Sequence, residues 1–301
     1  MKKLIALILA LVFVFALTAC GAKPAEDPSQ TQENTQEIKI TDAKSIADLK
    51  GMRISAQQGT FHETALDQIE NVQKTSYPDF PALLVALKAN AIDGYIAEEP
   101  TALAETLKDD TLTYVPLKNN DTGFTAGKED TGIAIGLKTD SELRDQINAV
   151  LAEIPEETKK QLMEEVVKLS AGEDIKEFCL KSEEPENPTG TLKVAMECAY
   201  QPFNWTDLDG AATVGAVPIM SEGYEGKMAN GYDVQIAKYV ANKLGLKLEV
   251  YALVWDALIP ALNSGTVDAI VAGMSPTAER EEEIDFTDTY YESDLVVVIN
   301  K

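Results

Sequence analysis

Residues 273–280, Gly-Met-Ser-Pro-Thr-Ala-Glu-Arg, combine groups that suit the binding of a small carboxylic acid. They follow a short apolar run, Val267–Ala272, which we predict to be a buried strand. Ser275 offers a hydroxyl, and a helix is expected to start near Thr277, so free backbone N–H groups lie close by. Arg280 falls in the first turn, where the helix dipole does not favour a cation. A guanidinium there suits a bidentate pair with a ligand carboxylate, and the alternative is a pair with a surface acid that follows it.

Carboxylates, aromatic rings and a polar turn stand at the ends of other predicted strands. Glu98 follows the apolar run Ile92–Ala97 and could accept a ligand ammonium group, although an acid at the start of a helix is also commonly solvated. Glu197 directly follows a strand predicted over Leu192–Ala195. Aromatic rings usually belong to a core or a rim, so only some of those nearby should contact a ligand. The other candidates are the turn Gln57-Gln58-Gly59-Thr60 and the rings of Tyr200, Phe203, Trp205 and Trp255.

Two stretches of the chain repeat one helix–strand pattern. Residues 80–97 align with residues 255–272 without a gap. Apolar residues spaced i, i+1, i+4 and i+5 mark one face of a short helix, and the apolar run that follows is typical of a buried parallel strand. Neighbouring helix and strand patterns extend both copies into α/β units. We therefore predict an α/β fold with two doubly wound lobes and a ligand cleft at the carboxyl ends of the strands.

The charge balance excludes some classes of partner. The 301 residues contain 26 Lys and Arg against 50 Asp and Glu, a formal net charge of −24. No basic patch could dominate that field, so nucleic acid is not an expected partner. The same charge argues against binding an anionic membrane surface.

Histidine and cysteine are too few for most metal or nucleophilic chemistry. A zinc site needs three or four such ligands close together, whereas the one His and three Cys of the chain are far apart in sequence, at positions 62, 20, 179 and 198. A Ser-His-Asp or Cys-His mechanism would need His62, which we expect to be an ordinary surface or cleft-rim residue. Cys179 and Cys198 could form a disulfide outside the cytoplasm or remain free thiols. We predict no metal, no cofactor and no catalytic residue.

The N-terminus has the pattern of a secretion signal. A basic start precedes fourteen apolar residues, 4–17, a length typical of a signal peptide and short for a membrane span. The small residues before Cys20 resemble a bacterial lipobox, which implies cleavage before Cys20 and a lipid on its thiol. The alternative is a plain secretory signal with a chance cysteine. We therefore predict a lipoprotein signal peptide over 1–19 and a flexible tether over 20–40, with the folded body anchored outside the cytoplasmic membrane.

Motifs in both halves of the chain match one known family. In the second half they are residues 192–205, 231–234, 255–262, 267–275, 279–280 and 285–293, and in the first half 48–51, 58–60, 93–96, 98–100 and 132–136. Together they resemble family 3 of the extracellular solute-binding proteins, the polar-amino-acid receptors of ABC importers. The resemblance covers about residues 40–170 and 190–301. It implies a two-lobed, periplasmic-binding-protein-like fold of type II, and a receptor rather than an enzyme.

The order of the two halves is reversed relative to that family, so the chain resembles a circular permutation of it. The resemblance implies that residues 41–129 form the family's second lobe, here called lobe 2. Residues 130–301 then form lobe 1, and the polar linker 173–190 joins the usual termini. One covalent hinge would remain, near residues 128–133. We expect a monomer, with a domain-swapped dimer as the alternative.

The resemblance also assigns roles to individual residues. Arg280 pairs with the ligand α-carboxylate, and Glu98 accepts the α-ammonium. The rings of Tyr200 and Trp255 flank the ligand side chain, and Glu197 stands where the family varies with specificity. The full set of candidate ligand-binding residues is Gln57, Thr60, Phe61, Glu98, Glu197, Tyr200, Trp255, Gly273, Ser275 and Arg280.

Charge counting favours a cationic amino acid. A zwitterion uses Arg280 and one acid, which leaves Glu197 to be neutralised by a positive side chain such as that of arginine or lysine. A glutamine or other polar neutral receptor is the alternative. A sensory binding protein and a cyclohexadienyl dehydratase-like enzyme on the same fold remain open as further alternatives. The expected partner is an ABC permease, on the extracellular or periplasmic face of the bacterial cytoplasmic membrane.

Overall fold

Two five-stranded sheets organise residues 39–208 and 213–301, the part of the chain that the computed structural model describes. In each sheet three mutually parallel strands are followed by two that join through antiparallel pairing. The predicted two-lobed α/β class is therefore confirmed. The predicted signal peptide, Cys20 and nearly all of the predicted tether lie outside the described residues.

The sheet of lobe 2 has the strand order β2-β1-β3-β16-β4. Its strands are Ile54–Gln57 (β1), Thr75–Tyr77 (β2), Gly94–Glu98 (β3), Leu112–Val115 (β4) and Leu295–Asn300 (β16). Every residue of β1 and β3 is buried, as expected for central strands that are covered on both faces. Both strands end at residues that were predicted to face a ligand, Gln57 and Glu98.

The sheet of lobe 1 has the order β12-β7-β13-β6-β14. Its strands are Gly136–Leu137 (β6), Gly190–Met196 (β7), Leu246–Ala252 (β12), Ala269–Ile270 (β13) and Asp285–Phe286 (β14). Two smaller sheets accompany it. One contains Ala199–Tyr200 (β8), Asn204–Asp207 (β9), Val217–Pro218 (β10) and Met228–Asn230 (β11), and the other pairs Gly132–Ile133 (β5) with Tyr291–Glu292 (β15).

Short helices connect the strands and cover the sheets. They are Phe61–Ala65 (α1), Phe80–Lys88 (α2), Glu99–Lys108 (α3), Lys128–Thr131 (α4), Leu143–Ala152 (α5), Glu156–Ser170 (α6), Tyr232–Lys243 (α7), Leu258–Asn263 (α8) and Ala278–Glu281 (α9). The start of α2 shows how the sequence sets a boundary. Asp79 is its N-cap, and the carboxylate accepts the backbone N–H of Ala82 at 2.8 Å.

The predicted repeat is present in space. Helix α2 leads into β3 beside β1, and α8 leads into β13 beside β7, in both cases with parallel pairing. Asp93 and Asp268, which the alignment superimposes, make the same contact. Asp93 accepts the backbone N–H of Arg53 at 2.8 Å, and Asp268 accepts that of Lys193 at 2.9 Å. Each carboxylate thus links two neighbouring strands near the amino end of the strand that follows it.

The last strand corrects the predicted division into lobes. Strand β16 lies between β3 and β4 in lobe 2, although residues 130–301 were assigned to lobe 1 as a whole. The chain therefore passes between the sheets twice, before β6 and again between β14 and β16. These two connections pair with each other through β5 and β15. The prediction of one covalent hinge near residues 128–133 is wrong for that reason.

Two further observations concern the body of the protein. Cys179 and Cys198 are both free thiols, so of the two states left open the disulfide is not formed. Within the described residues, no helix has the length and apolar character needed to cross a membrane.

Candidate functional site

One cavity between the lobes collects nearly all the predicted binding residues. From lobe 2 it is lined by Gln57, Thr60, Phe61, His62, Phe80 and Glu98, and from lobe 1 by Tyr200, Trp255, Gly273, Ser275 and Arg280. Nine of the ten predicted residues are in this set, and the tenth, Glu197, hydrogen-bonds to one of them. The cavity measures about 10 Å³, roughly the space of one water molecule. The lobes must therefore separate before a larger molecule can enter.

Arg280 lies in the cavity, and within residues 39–208 and 213–301 it has no acidic partner. In the first turn of α9, it donates to the carbonyl oxygen of Ser275 at 2.8 Å and, across the cavity, to that of Gly59 at 3.1 Å. The guanidinium also lies 5.2 Å from the ring centre of Trp255. Burial lowers the pKa of Arg280 to about 10, since carbonyl dipoles compensate a desolvated cation only in part.

The surface ion pair considered for Arg280 is absent from the described residues. Asp285 pairs instead with Arg144, at 3.2 Å, and no acid of the part of the chain that the structure describes lies within salt-bridge distance of Arg280. A partly buried guanidinium whose only acceptors are carbonyl groups retains the capacity to bind a carboxylate strongly.

Glu98 faces the same cavity and has a partner that the sequence did not reveal. The Oε1 atom of Glu98 lies 3.0 Å from Nε2 of His62, and both side chains are almost fully buried. Neither Glu98 Oε2 nor His62 Nδ1 has a hydrogen-bond partner among the described residues. His62 is therefore not the surface or rim residue that was predicted. The signal available was its position, two residues after Thr60 in a turn already assigned to the cleft.

Glu197 and Gln57 join the lobes by a hydrogen bond. Gln57 Nε2 donates to Glu197 Oε1 at 2.8 Å and to the carbonyl of Pro78 at 3.1 Å. Burial raises the pKa of Glu197 to about 7, and the negative charges of Asp79 and Asp256 act in the same direction, while the bond from Gln57 opposes them. Glu197 is thus a desolvated acid that a positive group would stabilise in its charged form.

A pH dependence of stability follows from that raised pKa. Because the folded protein favours protonated Glu197, its contribution to the free energy of unfolding is full below pH 4 and is lost as pH rises through about 7. We expect a loss of about 3 kcal/mol from this group. Urea denaturation at pH 4.5, 6.0 and 7.5 should show that Glu197→Gln removes this part of the decline. Burial also raises the pKa of Asp233, to about 6. Asp233 contributes equally to the pH dependence of the unmodified protein and of Glu197→Gln, so its effect cancels when the two are compared. Parallel stability curves for the two proteins would contradict the assignment.

An aromatic contact closes the cavity from both sides. Phe80 of lobe 2 stacks on Tyr200 of lobe 1 with ring centres 4.0 Å apart and planes within 14°. Tyr200 also stacks on Phe203, and Phe80 meets His62 edge-on at 5.9 Å. Phe80 was not among the predicted site residues, because the first residue of a helix in an apolar pattern is indistinguishable from core. Its ring occupies space that the opening of the lobes would release.

The remaining predicted residues shape the wall. Gly273 has φ +62°, and a Cβ atom there would lie 3.1 Å from the ring of Tyr200, so only glycine fits without strain. The hydroxyls of Ser275 and Thr60 donate to the carbonyls of Asp130 and Gln57, both at 2.7 Å. Because each hydroxyl proton is used in this way, the oxygens of Ser275 and Thr60 can act toward a ligand only as acceptors.

A second, outer cavity opens beside Arg280. It measures about 710 Å³ and shares Thr60, Phe61, Trp255 and Arg280 with the inner one. Its other charged residues are all acids, Glu63, Asp130, Asp256, Glu279 and Glu283. This surplus of negative charge at the mouth attracts cations and raises their local concentration. The described residues contain no group of three or more His, Cys, Asp or Glu arranged to hold a metal ion.

Comparison with known proteins finds a family match in the C-terminal part of the chain. Residues 192–301 match the bacterial extracellular solute-binding proteins, family 3. This part of the chain is similar to that family. It supplies the lobe 1 wall of the cavity, from Glu197 to Arg280, whereas the lobe 2 wall lies outside the match.

Curated proteins match stretches of 77 to 115 residues. The arginine-binding extracellular protein ArtP of Bacillus subtilis (strain 168) is 42% identical over 77 residues, 26% of this chain and 30% of that protein. A probable histidine-binding protein of Neisseria gonorrhoeae is 30% identical over 115 residues, 38% of this chain and 37% of that protein. The L-cystine-binding protein TcyA of Bacillus subtilis (strain 168) is 34% identical over 112 residues, 37% of this chain and 35% of that protein. The chain thus spans about a third of the length of these relatives.

A solved structure of an ancestral arginine-binding protein bound to arginine is 37% identical to the aligned part. The alignment covers 34% of this chain and 38% of the chain of the solved structure, with a TM-score of 0.28. At that TM-score the match adds nothing to the description of the fold, which rests on the sheet topology given above.

Proposed function

We propose that the protein is an extracytoplasmic receptor that binds a free amino acid between its two lobes. The observation that carries the proposal is the pair of incompletely partnered, opposite charges on one cavity. Arg280 has only carbonyl acceptors, and Glu98 has an oxygen with no partner among the described residues. An α-amino acid carries the complementary carboxylate and ammonium groups. Each lobe contributes one of the two charges, Arg280 from lobe 1 and Glu98 from lobe 2. Binding therefore favours the closed arrangement of the lobes over an open one.

Opening of the lobes is part of this proposal. The ligand needs far more room than the inner cavity offers, so the contacts between the lobes must first break. These include the Phe80–Tyr200 stack and the Gln57–Glu197 hydrogen bond. In the bound state the ligand side chain replaces them, contacting the rings of Tyr200 and Trp255 and lying near Glu197.

We propose a cationic side chain, as in arginine or lysine. After Arg280 and Glu98 have taken the two backbone charges of the ligand, Glu197 remains as a buried acid that a positive group would neutralise. The acidic outer cavity favours the approach of a cation. The similarity to an arginine-binding protein supports this choice, while the matches to histidine- and cystine-binding proteins keep a polar neutral ligand as the alternative.

We further propose that the receptor is held by a lipid on Cys20 at the outer face of the bacterial cytoplasmic membrane and delivers its ligand to an ABC permease as a monomer. A circularly permuted chain order is part of this proposal.

The test is a thermal-shift screen of residues 38–301, unfolded and refolded first to remove any co-purified ligand. The panel is the twenty amino acids with ornithine, citrulline, prephenate and arogenate. A ligand at 100 times its dissociation constant stabilises by about 2.7 kcal/mol, which shifts the melting temperature visibly. We expect arginine, lysine or ornithine to shift it and citrulline, the neutral analogue of arginine, to do so much less. If no amino acid shifts the melting temperature, the proposed receptor function is contradicted. If the protein turns over prephenate or arogenate, it is an enzyme rather than a receptor.

The role of Glu197 in selectivity has its own test. Glu197→Gln should weaken the binding of arginine by about tenfold or more, because a charged hydrogen-bond partner contributes about 1.5–3 kcal/mol, while glutamine binding should change little. Glu153→Gln is the matched control, since Glu153 lies at the end of α5 and pairs with Lys243 at the surface. Isothermal titration calorimetry of both variants decides the matter. Equal losses for arginine and glutamine would remove the specificity argument.

A further inference from the structure

The only histidine of the chain lies against the carboxylate to which we assign the ligand ammonium. His62 Nε2 is 3.0 Å from Glu98 Oε1, and the two side chains are 7% and 6% exposed. Both residues line the inner cavity. A role for His62 in binding rests on the proposed function, because it concerns how Glu98 receives an amino acid.

The hydrogen bond between His62 and Glu98 leaves one polar atom of each side chain available to a ligand. With Nε2–H donating to Oε1, Glu98 Oε2 and His62 Nδ1 remain buried without partners among the described residues. Oε2 is an acceptor. Nδ1 is a donor when the ring is an imidazolium and an acceptor when the ring is neutral. The buried carboxylate of Glu98 can be neutralised either by the imidazolium of His62 or by the ammonium group of a ligand. If both cations were present, one positive charge would be buried without a counter-charge.

We propose that His62 is a positioning residue of the ammonium subsite, and that binding exchanges a proton on His62 for the ammonium group of the ligand. The Nδ1 proton of the imidazolium leaves to solvent while the lobes are open. The Nε2–H bond to Glu98 stays and holds the carboxylate so that Oε2 receives the ammonium. Amino-acid affinity therefore falls as pH is lowered, by up to tenfold per pH unit for the one proton exchanged. A ligand without an α-ammonium group exchanges no proton with His62.

Other titratable groups surround His62 and must be separated from it. On its own helix Glu63 accepts the backbone N–H of Gly59, and the neighbouring turn carries Asp67, paired with Lys74. From other elements, Glu98, Tyr200 and Arg280 line the inner cavity together with His62. Tyr95 meets the ring of Phe80, which also meets His62, and Asp79 is the N-cap that precedes Phe80. Glu197 hydrogen-bonds to Gln57 of the same cavity wall. Glu197 matters most, since a cationic ligand would also drive a proton from it near pH 7.

Because the chain has a single histidine, its charge can be read directly in the unmodified protein. The experiment is NMR of the ¹⁵N-histidine-labelled protein, made without a histidine tag, at pH 5.5 with and without saturating L-arginine. We expect the imidazolium signature without arginine and that of a neutral ring protonated on Nε2 with it. An imidazole signature that arginine does not change would overturn the proposal.

Calorimetry supplies the matched comparison. L-arginine is titrated at pH 5.5 into Glu197→Gln and into the double variant with His62→Gln, in two buffers of different ionisation enthalpy. Glutamine can donate to Glu98 as Nε2 does, but cannot titrate. We expect release of nearly one proton per arginine from the first protein and almost none from the second. Between pH 7.5 and 5.5 the affinity should fall at least tenfold only when His62 is present.

The outcomes separate this inference from the proposed function. If no amino acid binds at any pH, the receptor itself is contradicted. If arginine binds with the same proton release and the same pH dependence in both variants, the receptor stands and the exchange at His62 is wrong. The melting temperature of each variant, measured at both pH values, shows that the comparison is made between folded proteins.

Discussion

Replacing Arg280 with alanine should weaken amino-acid binding by roughly 30-fold to several-thousand-fold, or about 2–5 kcal/mol. The reason is that Arg280 is the one Arg or Lys lining the inner cavity, among the described residues, and its present acceptors are carbonyl groups that do not neutralise it. Its removal leaves the ligand carboxylate desolvated without a counter-charge. Arg280→Lys should recover only part of the affinity, because an ammonium cannot form the bidentate pair.

The matched control for this change is Arg144→Ala. Arg144 pairs with Asp285 and Asp145, and it lies on α5 at the surface of lobe 1. Its loss should leave the dissociation constant unchanged. Calorimetry of the ligand found in the thermal-shift screen makes both measurements. An unaltered affinity in Arg280→Ala would sink the assignment of the carboxylate subsite.

Replacing Glu98 with glutamine should cost a comparable 2–5 kcal/mol of binding free energy, roughly, since it removes the negative charge but keeps the shape of the side chain. The ligand ammonium would then meet a neutral amide in a site from which water is largely excluded. We expect the loss to be much smaller for a ligand that lacks the α-ammonium group, such as 5-guanidinopentanoate in place of arginine. That difference separates loss of the subsite from general damage to the cleft.

Glu99→Gln is the control for Glu98→Gln, because the two residues are adjacent and of the same type. Glu98 is buried at the end of β3, whereas Glu99 is exposed in the first turn of α3. We expect the affinity of Glu99→Gln to match that of the unmodified protein. A loss of equal size in the two variants would mean that the charge near α3, rather than the carboxylate in the cavity, is responsible.

The grouping of these residues around one cavity could be predicted because strand ends are local features of a sequence. Arg280, Glu98 and Glu197 each follow a short apolar run, and the carboxyl ends of parallel strands meet at one edge of a sheet. That rule brings residues from distant parts of the chain to one cavity without knowledge of the packing. It also explains why the matched acids Asp93 and Asp268 of the repeat make equivalent contacts at the opposite edge.

What could not be predicted depends on contacts between distant residues. The run Leu295–Ile299 has the pattern of a strand, but nothing in its own residues states that it pairs with β3 and β4 rather than with the sheet of lobe 1. Likewise, His62 and Phe80 are ordinary residues of helix starts until the fold brings Glu98 and Tyr200 against them. Burial of a lone histidine is a property of its surroundings, which a single sequence does not describe.

The most direct test of the receptor is a crystal structure of residues 38–301 with the amino acid that the screen identifies. We predict the ligand between Phe80 and Tyr200 in the inner cavity, with its carboxylate paired to Arg280 and its ammonium group within hydrogen-bond distance of Glu98. The lobes should be further apart at these rings than the 4.0 Å of the present stack. An amino acid bound outside this cavity, or bound there with its carboxylate turned away from Arg280, would contradict the proposed site.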